Sequence, residues 1–294
     1  MTAHRADKTG SRIDLLAPVE MGDKDFERLG KFIMSQYGIK MPPFKKVFLQ
    51  SRLQKRLRSL GLNDFKEYVD FVFSPRGQQE ELHHMIDAVS TNKTDFFREP
   101  VHFEFLLSRG LSDHTTKTVR NHLSAWSAGC STGEEPYSLA MLLQEYCNRG
   151  QYNDYTIVAT DISRGVLEHA TIGIYQKEKT DLIPTAYQNN YLLKGTGQYE
   201  NKVRIAPAIR RKIAFRQLNL LDKNYEGLGK FDILFCRNVL IYFERQVQFQ
   251  ILQQLCRHLY PGGYLFLGHS ESIQGIDLPL IPVRPTIYMK KPNG

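Results

Sequence analysis

The chain has 294 residues, 41% of them hydrophobic and 24% charged, the proportions of an ordinary folded protein, which exclude disorder, collagen-like repetition and coiled coil. Its 39 basic and 31 acidic side chains leave a net charge of +8, pointing to an anionic partner of unspecified class. No apolar run approaches the ~20 residues that span a bilayer and Met1 to Gly22 lacks a secretory apolar stretch, so a cytoplasmic protein without membrane insertion is expected.

Residues 1–22 carry Thr, Gly, Ser and scattered charges with little periodicity and read as a mobile tail. Residues 23–90 are helical in pattern. Phe26, Leu29, Ile33 and Tyr37 recur at helical spacing and stop at Gly38. Leu53, Leu57 and Leu60 mark a second helix between Pro42-Pro43 and Gly61. Asn63 or Asp64 can cap a third, carrying Phe65, Tyr68, Val69 and Val72 and closed by Ser74-Pro75. Leu82, Met85, Ile86 and Val89 share a face of a fourth. Four short amphipathic helices without a strand predict a small all-α N-terminal domain. Its second helix is basic: Lys45, Lys46, Arg52, Lys55, Arg56 and Arg58 meet no acid between 44 and 60.

After a linker at 91–99 the pattern changes. A helix opens near Pro100, and apolar stretches at 123–128, 155–159, 213–218, 231–235 and 264–267 alternate with helical ones, including 134–147 and a helix from Arg164. Short buried strands separated by helices predict a doubly wound α/β domain over 100–294, with a parallel sheet covered on both faces. Residues 171–212 interrupt the alternation: 191–193 and 202–206 flank a Gly195-Thr196-Gly197 turn, predicting a small inserted antiparallel β subdomain. That insertion holds eight Lys or Arg against three acids. Cys130, Cys147, Cys236 and Cys256 form no C-x-x-C pair, which argues against a disulfide framework and a structural metal site.

In an open parallel sheet, ligands bind beyond the carboxyl ends of the strands. The first strand leads into Gly129-Cys130-Ser131-Thr132-Gly133-Glu134-Glu135-Pro136. Its glycines let a ligand approach the backbone, while Glu134 and Glu135 would repel a pyrophosphate and suit a cationic or hydroxyl-bearing ligand; they serve equally as favourable charges at a helix N-terminus. Asp161 ends the second strand, where dinucleotide folds place an acid on ribose hydroxyls, and it could instead cap the next helix. Asn219 and Asn238 follow the third and fourth strands, placed either to meet a base edge or to form turns.

The segments Thr91 to Arg98, Ala128 to Ser138, Ala159 to Ser163, Asn219 to Leu221 and Phe231 to Phe243 together resemble the chemotaxis receptor methyltransferases, the CheR family, over about residues 23–290. The resemblance implies a Rossmann-like class I S-adenosylmethionine-dependent methyltransferase domain that forms glutamate methyl esters on chemoreceptors and releases S-adenosylhomocysteine. Residue by residue it implies that Asn92, Thr94 and Arg98 lie over the cofactor. Glu134 and Asp161 would take its amino acid end and ribose, and Asn219, Leu220, Arg237 and Asn238 would line the adenosine. Arg98 and Tyr242 match the side chains that orient the incoming carboxylate. The basic helix matches the receptor-facing surface, and the insertion matches a subdomain that in some members pairs with a receptor tail peptide. Lys194 and Gln176 depart from the Arg expected at both positions, which weakens any bidentate contact there.

A glutamate side chain is anionic at neutral pH, with a reference pKa of ~4.3, so its methylation needs no general base. Orientation and exclusion of water are the expected levers. Three alternatives compete. Gly129-Cys130-Ser131-Thr132-Gly133 has the form G-x-S-x-G, and Asp232 and His269 would complete a serine hydrolase triad around Ser131. A non-catalytic docking module would keep the fold alone. An RNA methyltransferase would share the charge, but Arg237-Asn238-Val239 lacks the Pro-Pro-aromatic pattern of many base-modifying enzymes. The reading is therefore a metal-independent, monomeric, cytoplasmic methyltransferase acting on an acidic protein and not on nucleic acid.

Overall fold

The computed structural model describes residues 19–111, 121–150 and 152–292. Residues 1–18 of the expected mobile tail lie outside them, whereas its last four residues are held. The Val19 and Met21 N–H groups donate to Gln54 Oε1 and Gln50 Oε1 (3.1 and 2.9 Å), and Met21 is buried. Residues 19–22 thus belong with the first domain rather than with a tail, because Met21 supplies an apolar anchor that its polar neighbours hide in the sequence.

Helices α1 (Asp23–Tyr37), α2 (Lys46–Ser59), α3 (Phe65–Phe73), α4 (Pro75–Glu80) and α5 (Leu82–Val89) form the first domain around Leu29, Ile33, Leu53, Tyr68, Val69 and Met85. Asp64 caps α3 by accepting from Glu67 N (2.8 Å), and the Glu67 carboxylate accepts in turn from Asn63 N (2.9 Å), a variant of the capping box whose return bond reaches the residue before the N-cap. The expected four helices are five. Ser74-Pro75 ends α3 and also starts α4, with Ser74 Oγ accepting from Gly77 N (3.0 Å) and proline at the first helical position, where its missing N–H costs nothing.

Helix α6 (Pro100–Phe105) enters the second domain. Its main sheet contains β1 (His122–Ala128), β2 (Asp154–Asp161), β6 (Ile213–Gln217), β7 (Phe231–Cys236), β8 (Leu259–Leu267), β9 (Leu280–Arg284) and β10 (Ile287–Lys290), in the order β6-β2-β1-β7-β8-β10-β9. The five strands from β6 to β8 are parallel; β10 pairs antiparallel with both β8 and β9. The sheet is therefore mixed rather than parallel, since the C-terminal β9–β10 hairpin, short and partly polar, escaped the pattern of long apolar runs.

Side chains alternate faces along each strand. Ala125, Ile233, Phe235 and Phe266 pack with α7 (Glu134–Asn148) on one side, while Trp126, Leu234, Leu265 and Leu267 pack with α11 (Arg245–Arg257) on the other. Both faces are buried, which is why the central strands read as continuous apolar runs. Between β2 and β6 come α8 (Arg164–Ile172) and the insertion, where β3 (Ile174–Gln176), β4 (Leu192–Lys194) and β5 (Lys202–Ile205) make a separate antiparallel sheet in the order β3-β5-β4, with α9 (Thr185–Tyr191) and α10 (Pro207–Arg210) alongside. The expected two-stranded hairpin has a third strand, β3, too short to show a period.

Candidate active site

The chain runs outward from β1 to β2 and β6, then returns to β7 on the other side of β1. At that reversal, beyond the strand ends, a cavity of about 330 Å³ lies between the two domains, within the range of small-molecule sites. Asn92, Thr94, Arg98, Asp161, Asn219, Leu220, Arg237, Asn238 and Tyr242 all line it. Glu134 does not; it is buried beside the lining, accepting from Thr132 Oγ1 (2.6 Å) with Lys179 Nζ at 3.8 Å, and burial raises its pKa.

The loop after β1 depends on glycine. Gly129 has φ 78°, and a Cβ there would fall 2.4 Å from Val239 Cγ2, so only glycine lets β1 and the loop after β7 share the floor of the cavity. Asp161 is fixed by that loop and by its own turn: Oδ2 accepts from Ser131 N (2.8 Å) and Oδ1 from Ser163 N (3.0 Å). Burial raises its pKa and these backbone donors oppose the rise. The Ile162 N–H is a third backbone donor to the carboxylate, which leaves it acceptor capacity for a hydroxyl donor such as a ribose presents.

Arg237 carries a denser network. Its Nε donates to Glu135 Oε2 (2.8 Å) and its Nη1 to the Arg98 carbonyl (2.6 Å) and to His102 Nδ1 (3.2 Å), with Glu99 Oε2 at 3.5 Å. The guanidinium also lies over Phe103 and Phe235. Thr286 Oγ1 donates to Pro285 O (2.7 Å), so His102 Nε2, 2.9 Å away, is the donor and Nδ1 the acceptor. Burial, followed by the Arg237 charge, lowers the His102 pKa to about 3, which keeps it neutral. Among the described residues, Glu99, His102 and His269 bring ligand-type atoms within 4.8 Å of one another, but the Arg237 cation already occupies that cluster.

Arg98 lines the cavity with one N–H spent on Lys93 O (3.0 Å). Tyr242 ends a 3-10 turn, Leu240–Tyr242. Asn219 is committed to the fold: its Nδ2 donates to Gln36 O (2.8 Å) at the end of α1, and its Oδ1 accepts from Leu221 N (3.0 Å). The linker is stitched down by Ser131 Oγ donating to Asn92 O (2.9 Å) and Ser138 Oγ accepting from Phe97 N (2.9 Å).

No hydrolase triad assembles. Asp232 is bound to Ser124 at the opposite end of β1 (2.9 and 2.8 Å), and His269 faces Glu99. Asp232 stands near the start of its strand and Ser131 beyond the end of the neighbouring one, so the sheet holds them apart.

Residues 92–288 match the CheR methyltransferase SAM-binding domain, and residues 24–90 match the CheR methyltransferase all-alpha domain. The chain belongs to the CheR methyltransferase family. It is 35% identical over 281 residues to a chemotaxis protein methyltransferase of Escherichia coli, covering 96% of each chain. It is 36% identical to one of Borreliella burgdorferi, covering 90% of this chain and 94% of that one. It is 40% identical to chemotaxis protein methyltransferase 1 of Pseudomonas aeruginosa, covering 86% and 91%. As a CheR methyltransferase it uses S-adenosylmethionine as methyl donor, and no helix among its described residues is long and apolar enough to cross a membrane.

Several residues of this CheR site were not legible in the sequence. Tyr37, Lys45 and Phe48 reach the cavity from the all-α domain, and Glu135, rather than Glu134, lines it. The signal for Glu135 was present as the second acid of the pair, but which of two adjacent helix positions points inward depends on the helix phase set by Gly133. Arg56 is the converse case. It pairs with the buried Glu81 through Nε (2.8 Å) and Nη2 (2.5 Å), and Tyr68 Oη also donates to that carboxylate (3.0 Å). One of the six cations in the basic segment therefore serves the core.

Proposed function

We propose that this methyltransferase esterifies glutamate side chains on the cytoplasmic helices of chemotaxis receptors. The observation that supports it best is the meeting, in one cavity at the sheet reversal, of the acid Asp161 with Arg98 and Tyr242. Bound S-adenosylmethionine supplies an electrophilic methyl group on a sulfonium centre. Asp161 holds ribose hydroxyls, and Glu134, from just behind the lining, supplies negative charge toward the cationic amino end. Asn92, Thr94 and Leu220 shape the walls, with Asn238. Arg237 and Asn219, whose polar groups are largely spent on Glu135, the Arg98 carbonyl and Gln36, act on the adenosine as fixed walls rather than as free donors.

The incoming carboxylate needs no proton removed. Arg98 receives it with its remaining donors, and the Tyr242 hydroxyl donates a hydrogen bond that limits how tightly Arg98 holds the nucleophile. Lys45 adds a cation nearby, its Nζ 6.0 Å from the centre of the Tyr242 ring. Closure between the two domains excludes water and fixes the line of attack. The acidic receptor helix lies against the basic face of α2, and a receptor tail peptide docks on residues 171–212. The protein acts as a cytoplasmic monomer, without metal or nucleic acid, and releases S-adenosylhomocysteine.

The test is methyl transfer from tritiated S-adenosylmethionine to receptor cytoplasmic fragments, with and without their tails. Label on glutamate that alkali releases as methanol is expected. Label that resists alkali, or none from protein that binds S-adenosylhomocysteine, would overturn the assignment.

A further inference from the structure

Glu271 belongs to none of the motifs above, yet five backbone N–H groups converge on its carboxylate. Asn238 N (2.9 Å) and Gly268 N (2.6 Å) donate to Oε2, while Val239 N (2.9 Å), Leu240 N (2.7 Å) and Ile241 N (3.4 Å) donate to Oε1. The side chain is buried, 5% exposed. Successive N–H groups turned toward one point form an anion nest; here the chain fills the nest with its own carboxylate. Burial raises the pKa of Glu271 and the backbone donors oppose the rise.

The nest can form because the two strand ends touch. Asn238 turns the chain with φ 58°, and a Cβ on Gly268 would lie 2.7 Å from Asn238 N. The loop after β8 is thereby laid flush against the loop after β7. Tyr242 is the next residue after the last of the four consecutive donors, and its own N–H donates to Val239 O (3.3 Å), closing the turn.

We propose that Glu271 is the positioning residue for Tyr242: it sets the path of residues 238–241 and so places the Tyr242 hydroxyl for methyl transfer. This rests on the role proposed above for Tyr242. Arg237, one residue upstream, is held by separate partners, Glu135 and His102, so on the adenosine side of the cavity only the wall formed by Asn238 shares the Glu271 nest. Glutamine at 271 would put an N–H₂ group among backbone donors, leaving N–H groups unpaired and the turn free to shift.

The experiment compares Glu271→Gln, Tyr242→Phe and the double variant in single-turnover methyl transfer, with S-adenosylhomocysteine affinity measured by calorimetry. We expect Glu271→Gln to lower the transfer rate about tenfold to a hundredfold, the scale of a misplaced reacting group, with a clearly smaller loss of cofactor affinity, transmitted through Asn238. The double variant should be no slower than the slower single one. Parent-like turnover in Glu271→Gln, additive losses in the double variant, or an equal loss of cofactor affinity would each overturn the proposal. If Glu271→Gln does not fold, amide hydrogen exchange in the parent decides. N–H groups of residues 238–241 and 268 protected like those of β7 support the proposal, and loop-like exchange refutes it. That measurement needs no receptor, so its failure is distinct from failure of the glutamate assignment.

Discussion

Asp161 and Arg98 line the same cavity but are built differently. Asp161 is held by backbone N–H groups at the end of β2, the position proposed for the ribose, whereas Arg98 spends one donor on its own linker. Asp161→Ala should weaken S-adenosylhomocysteine binding by roughly 1.5–3 kcal/mol, the worth of hydrogen bonds to a charged group, as calorimetry can measure. Arg98→Ala should lower turnover more than cofactor affinity; transfer at the parent rate would remove Arg98 from the reaction. Glu81 makes a third case, with no part in the site. Its buried carboxylate joins Arg56 of α2 to Tyr68 of α3, and Glu81→Gln should lower stability by about 3 kcal/mol, as expected when one partner of a buried ion pair is lost. A denaturant midpoint unchanged from the parent would show that the pair contributes nothing.

Helix α6, strand β7 and the turn before β10 meet at His102, where neutral imidazole bridges Arg237 and Thr286. Its pKa in the folded chain, about 3, lies below the ordinary 6.5. Between those values the unfolded chain takes up a proton that the folded chain refuses. The contribution is therefore complete above about pH 6.5 and is lost as pH falls toward 3, at no more than about 1.4 kcal/mol per pH unit. Thermal unfolding between pH 7 and about pH 5 should show the parent losing more stability than His102→Gln; parallel curves would contradict the assignment. Such junctions mark the limit of what the sequence discloses. The central strands β1, β2, β7 and β8 were legible because both faces are buried, and α1 and α3 because their apolar stripes and caps coincide. The β9–β10 hairpin, strand β3 and the role of Glu271 were not, since each is defined by a partner distant in the chain. Asp161, Asn219 and Asn238, which line the cavity, could be picked out because they follow the carboxyl ends of strands; Tyr37 and Lys45, supplied by another domain, could not.

Across the whole molecule the two domains are joined at the cavity. Lys40 N donates to Tyr242 O (3.3 Å), Asn219 Nδ2 to Gln36 O, and Gly165 N to Asp87 Oδ2 (3.2 Å). The net charge of +8 includes the exposed Arg52 of α2, whose guanidinium lies over Phe48 of the cavity lining. On the proposed esterification of an acidic receptor helix, affinity should therefore fall as salt rises from about 0.05 to 0.3 M and as each methyl ester removes a negative charge. A salt-independent KM for the receptor would show that charge does not guide docking. The molecule also carries its own optical probe. Trp126, the single tryptophan of the chain, is fully buried, and its Nε1 donates to Thr160 Oγ1 (2.9 Å), one residue before Asp161. Its emission comes from the sheet alone and is blind to the five N-terminal helices. Circular dichroism that melts before the fluorescence shifts would thus reveal the all-α domain letting go while the sheet stays intact.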